Sequence, residues 1–156
     1  MTTWKIWIPG APRPQQRPKA NARGPHVRIY YPETPEMKAW LASCDHAFSR
    51  LAGTWPITGP VGCLADCILP RPQDDKRDGW DWAPVAGRLG GDWDNLGKPL
   101  TDRMESMGLI ENDSRICDGR VRKVYGPKDQ PVGCFLRFWT LDASPALERV
   151  SPTMGA

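Results

Sequence analysis

A chain of 156 residues with 17 prolines and 15 glycines is long enough to bury one real core, too short for two comfortable domains, and must be rich in loops. The net charge is only +3, but residues 1–32 hold Lys5, Arg13, Arg17, Lys19, Arg23 and Arg28 with no acid, leaving 15 basic against 18 acidic side chains elsewhere. A basic arm beside an acidic cluster suits a protein that grips a polyanion and cuts it with a metal, the plainer alternative being a solvated basic loop. Five cysteines at 44, 63, 67, 117 and 134 are odd in number and too sparse for a disulfide scaffold. His26 and His46 lie far from Cys63 and Cys67, so a structural zinc is not expected. The sequence has no apolar run of the roughly 20 residues that span a bilayer and no secretory leader pattern, so a cytoplasmic protein with reduced thiols is expected.

In chain order, residues 3–9 alternate as a strand, with Trp4, Ile6 and Ile8 on one face. Pro9, Pro12, Pro14 and Pro18 end it, and a basic loop over 10–26 leads to a second strand at about 27–31, the two strands bracketing a flap. Thr34-Pro35 reads as a cap followed by proline at the first helical position, opening a helix over 34–51 with Met37, Leu41, Cys44 or Asp45, and Phe48 on its stripe. A third strand covers 61–69, broken by Gly62 and Asp66. Residues 70–91 lack periodicity and read as a long loop, either a lid or binding segment or a disordered insertion. A helix over 96–107 carries Leu96, Leu100, Met104 and Met107 on one stripe and Lys98, Thr101, Asp102 and Glu105 opposite, with Pro99 in its first turn. Strands over 116–125 and 132–141, joined by a short turn, read as an antiparallel hairpin. A domain over 1–143 and a disordered tail over 144–156 complete the expectation.

The chemistry concentrates in Gly91-Asp92-Trp93-Asp94-Asn95-Leu96-Gly97-Lys98 and Glu111-Asn112-Asp113. Repeated carboxylates are how proteins hold a hard divalent cation such as magnesium. Asp92 and Asp94 are two apart, so in an extended segment both would point the same way, and Asn95 is the expected helix cap, its amides facing a bound phosphate. Lys98 lies one turn past Asp94 and either meets charge building on a phosphate or makes an ordinary ion pair with Asp94 or Asp102. Twelve helical residues rise roughly 18 Å and six extended ones can retrace roughly 20 Å, so Asp113 either returns to its own chain's site or completes that of a partner copy. Glu111 is a minority alternative ligand. Glu36-Met37-Lys38 and Asp74-Asp75-Lys76 match a short nuclease pattern but carry too little information to count. Trp80, Trp82 and Trp93 are expected in the core or at an interface, a wedge between bases being the rarer use.

Taken together, Gly91-Asp92-x-Asp94-Asn95-Leu96-x-Lys98-x-x-x-Asp102, then Gly108-Leu109-Ile110-x-x-Asp113, then Asp118-x-Arg120-x-x-Lys123, resemble the RusA family of Holliday junction resolvases. The match is strongest over 91–125. The resemblance implies an α+β fold, a single small domain with a mixed or antiparallel sheet and about two main helices, acting as a homodimer. It implies a magnesium-dependent endodeoxyribonuclease, manganese serving in place of magnesium, that makes paired nicks in branched DNA and leaves 5′-phosphate and 3′-hydroxyl ends. Asp92, Asp94 and Asp113 match the family's metal-binding catalytic aspartates, and Lys98 its catalytic lysine. Arg13, Arg17, Lys19, Arg23, Arg120 and Lys123 are the expected DNA contacts, with Arg28, Arg115 and Arg122 as further candidates. Two rival readings remain: a branched-DNA binder that has lost cleavage, and a metal-dependent nuclease or phosphatase with another substrate. The long 70–91 loop and Pro99 directly after Lys98 are departures from the family's compact pattern. A phage or prophage source is an association by family.

Overall fold

The computed structural model describes residues 1–142 other than 17, 24, 25, 31, 33 and 85–90, and leaves the side chains of 22 and 23 undescribed. The expected tail at 144–156 lies outside the described residues. The elements run β1 (Thr3–Pro9), β2 (Lys19–Arg23), β3 (His26–Tyr30), α1 (Pro35–Phe48), β4 (Val61–Ile68), β5 (Asp81–Trp82), α2 (Trp93–Ser106), a 3-10 turn (Asp113–Arg115), β6 (Ile116–Tyr125) and β7 (Gly133–Thr140). Two helices against a mixed sheet make an α+β fold, as expected.

The main sheet has the order β1-β7-β4-β6-β5, and β2 and β3 form a separate two-stranded sheet. β4 runs parallel to β6 and antiparallel to β7, so it separates the two strands that were expected to pair as a hairpin. The reason is burial: seven of the eight residues of β4 are buried, and a strand so apolar belongs at the centre of a sheet. Val124 and Gly133 both sit opposite Ile68, so the segment between β6 and β7 only has to cross the end of one strand, roughly 10 Å.

Side chains alternate across a strand, and one set from three strands shares a single cluster with both helices. Ile8 of β1, Cys63, Ala65 and Cys67 of β4, and Cys134, Leu136 and Phe138 of β7 pack with Met37, Trp40, Cys44 and Phe48 of α1 and Leu96, Leu100 and Met104 of α2. α1 begins as its sequence dictates, with Pro35 in the first turn and the Thr34 hydroxyl accepting from the Met37 amide at 3.2 Å. The two helices are linked by a two-pronged ion pair between Arg103 and Asp45. All five cysteines are free, and burial pushes the Cys44 and Cys63 thiols up to about 12.

Three further differences from the sequence reading matter for function. The basic loop contains β2, a strand without an apolar stripe to announce it, and β3 pairs with β2 rather than with the sheet. The described part of the 70–91 segment is folded around Arg71, which meets Asp75 at 3.0 Å and the Gly79 carbonyl at 2.7 Å and lies over the Tyr125 ring. Of the three tryptophans expected in the core or at an interface, none is in the core: Trp80, Trp82 and Trp93 are exposed.

Candidate active site

α2 starts earlier than expected. Gly91 adopts φ +53°, a left-handed conformation open to glycine, and Asp92 follows as the N-cap, so Asn95 lies inside the helix and does not cap it. Asp92 and Asp94 therefore sit at the cap and in the first turn rather than on an extended strand. The Asp92 carboxylate makes no capping hydrogen bond. Asp94 lies where the helix dipole favours an anion.

Pro99 is likewise deeper in α2 than the first turn. A proline there has no N–H for the carbonyl four residues back, which is that of Asn95. That carbonyl accepts instead from the backbone N–H of Gln15 at 2.8 Å. The proline-rich segment is thereby fastened to α2, with Pro12 and Pro14 buried. A Cβ at Gly91 would come within 2.4 Å of Pro14, so this contact too requires glycine. Gly97 allows α2 to lie close to β6, since a Cβ there would approach Val121 to 2.9 Å.

A cleft of about 270 Å³ opens between α2, β4 and β6. Its floor is Cys63, Ala65 and Val121, and its rim carries Trp93, Asp94, Lys98, Asp113 and Arg120. The chain turns back after α2 and brings Asp113 to its own Lys98, whose Nζ lies 2.5 Å from Asp113 and 2.7 Å from Asp102. Those two carboxylates, Asp102 first, hold the Lys98 ammonium well above the usual lysine range, so it stays cationic. The turn itself is fixed by α2: Glu105 accepts from the Asp113 backbone N–H at 2.9 Å and from the Asn112 amide at 3.2 Å. The Asn112 side chain in turn accepts from the Ser114 N–H at 3.0 Å. Sequence reasoning assigned no role to Glu105 or Asn112, although Glu105 completes the polar stripe that starts at Lys98.

The structure brings together Asp94, Lys98, Asp113 and Arg120, and leaves Asp92 exposed at the neighbouring cap. Glu111 is drawn away by Arg115 at 2.9 Å. Asp75, the middle residue of Asp74-Asp75-Lys76, is bound by Arg71 and Arg77 and is taken up with loop structure. Lys123 is half-buried and donates to the Gly91 carbonyl at 2.9 Å, bracing the start of α2. Arg13 is half-buried beside the buried prolines, and Lys19 is exposed on β2. Arg17 and the side chain of Arg23 lie outside what is described. Arg122 is paired with Asp66.

Among the described residues, no three His, Cys, Asp or Glu side chains are gathered closely enough to hold a metal ion. The donor chemistry nonetheless fits a hard divalent cation, because two carboxylates share the cleft and the Asp92 carboxylate is not spent on the helix cap.

The family model for the endodeoxyribonuclease RusA matches residues 9–132. The chain belongs to the RusA family. That family's members are endonucleases of Holliday junctions, and a nuclease of this kind is generally dependent on a divalent metal. A search of curated proteins finds no significant match. No helix among the described residues is long and apolar enough to cross a membrane.

Proposed function

We propose that this RusA-family chain resolves four-way DNA junctions by paired symmetric nicks, as a homodimer dependent on magnesium, with its catalytic domain over residues 1–143. The observation that carries this reading is the Lys98–Asp113 pair, which lines one cleft together with Asp94. Two equivalent sites related by a two-fold axis match the approximate two-fold symmetry of a junction.

In this reading Asp94 and Asp113, with Asp92 beside them, would hold the ion, which when bound would polarise the phosphate and activate a water. The water oxygen bonds to phosphorus, the bond to the 3′ oxygen breaks, and that oxygen leaves with a proton, giving 5′-phosphate and 3′-hydroxyl ends. Lys98 stays protonated and offsets charge on the phosphoryl oxygens as it grows. The free amides of the first turn of α2 favour the same anion. Glu105 and Asn112 keep Asp113 in place, and Arg120 at the rim meets the flanking phosphate. Lys19, Arg13, Arg17 and Arg23 extend the contact along the backbone.

The test is a labelled synthetic four-way junction incubated with the protein in magnesium or in EDTA, beside an Asp94→Asn variant. Paired nicks that need both magnesium and Asp94 support the reading. Binding without nicks in any divalent metal would leave a junction-binding protein, and equal cutting of plain duplex a general nuclease.

A further inference from the structure

The β2–β3 ribbon is separate from the main sheet, and its register sorts its side chains by chemistry. Lys19 faces Tyr30 and Asn21 faces Arg28, while Ala20 faces Ile29 and Val27 lies two residues before Ile29. Opposed residues in an antiparallel pair share a face, and alternate residues switch face. One face thus presents Lys19, Asn21, Arg28, Tyr30 and His26, and the other Ala20, Val27 and Ile29. Val27 is 64% exposed and Ile29 67%. An isolated two-stranded ribbon is marginal in water, and two bare β-branched side chains mark a contact surface.

Its position is fixed by its roots. Gln15 is held by the Asn95 carbonyl of α2, and Gln15, Gln16 and Pro32 line one recess with Pro99 and Asp102. The segment leading into the ribbon is therefore fastened to the helix that carries Asp94 and Lys98, and Pro32 beyond it borders the same recess. The whole segment from residue 1 to 32 has no carboxylate to repel phosphate.

We infer that the ribbon is the element that reads the branch point of the DNA. This rests on the junction-endonuclease reading above. Lys19, Asn21 and Arg28 lie against backbone phosphates where strands converge, and Tyr30 adds a hydroxyl donor. Val27 and Ile29 press against bases that the branch has left partly unstacked, as aliphatic wedges do in bent DNA. A duplex offers the phosphates without the open stack, so the two faces divide affinity from branch selectivity.

The experiment measures binding of the full chain in EDTA, where no nick forms, to a four-way junction with 2-aminopurine at the branch and to a duplex of the same sequence. Lys19→Gln with Arg28→Gln should weaken both substrates alike and reduce the salt slope by roughly 2. Val27→Thr with Ile29→Thr, which keeps the strand preference, should leave duplex binding within about twofold but lower the junction preference roughly tenfold and remove the 2-aminopurine signal. An unchanged signal and unchanged junction preference in the threonine variant would overturn the inference. So would a threonine variant that sediments as a monomer where the parent is a dimer, since the apolar face would then belong between copies. A parent protein that forms no nicks in magnesium would instead sink the nuclease reading, whatever the ribbon variants do.

Discussion

The two helices are each 14 residues long and each carries a proline, yet they are built on opposite terms. In α1 the proline is in the first turn and the cap hydroxyl of Thr34 is bonded to the Met37 amide. Local preference and tertiary packing agree there. In α2 the proline lies inside the helix, Gly97 adds a second weak helix former, and the N-cap carboxylate forms no capping bond. α2 is held by its neighbours: Leu96, Leu100 and Met104 in the core, Asp45 on Arg103, and the chain at Gln15. The lesson is a division of labour, in which α1 supplies stability and α2 keeps its polar groups available for the site.

Four substitutions would break or sharpen that division. Phe48→Ala on α1 empties a fully buried site and should cost roughly 3–5 kcal/mol in urea unfolding, with cleavage per folded molecule retained below the new midpoint. Loss of turnover in the folded variant would show that α1 shapes the site. Lys98→Met on α2 should do the reverse, lowering single-turnover cleavage roughly 10²–10³-fold. Its exposed ion pairs should shift stability by about 1 kcal/mol at most. Thr34→Ala should lower stability by about 1 kcal/mol, read by thermal melting, without touching the cleavage rate. Asp92→Asn should change stability by only about 0.3 kcal/mol, because the Asp92 carboxylate makes no capping bond and only its charge at the helix start is lost, while magnesium titration of cleavage shifts to higher concentration. A normal magnesium midpoint in that variant would remove Asp92 from the site.

What could be read in the sequence was what neighbouring residues decide. Thr34-Pro35 announces α1, the alternation of Trp4, Ile6 and Ile8 announces β1, and the spacing from Asp92 to Asp113 announces the family. Sheet order is decided by competition for the centre, and nothing within β6 or β7 reveals that β4 comes between them. Nothing announces β2 because its described side chains, Lys19, Ala20 and Asn21, are all exposed, so they need no apolar stripe. Asp92 and Asn95 are equally good caps by residue type, so the sequence does not choose between them, and the turn at Gly91 and its contact with Pro14 set the boundary at the earlier one. The core alone does not explain where tryptophan goes: Trp40 is buried, but Trp93 stands at the cleft.

The hydrogen bond that Pro99 leaves open at Asn95 has a consequence in time as well as in space. A helix normally protects its own amides, but here a carbonyl in the first turns of α2 protects the Gln15 N–H, far back in the chain. That proton can exchange with solvent only when the arm lifts or the start of the helix frays. Its exchange rate is therefore a clock for release of the proline-rich arm from α2, readable at a residue that takes no part in the chemistry.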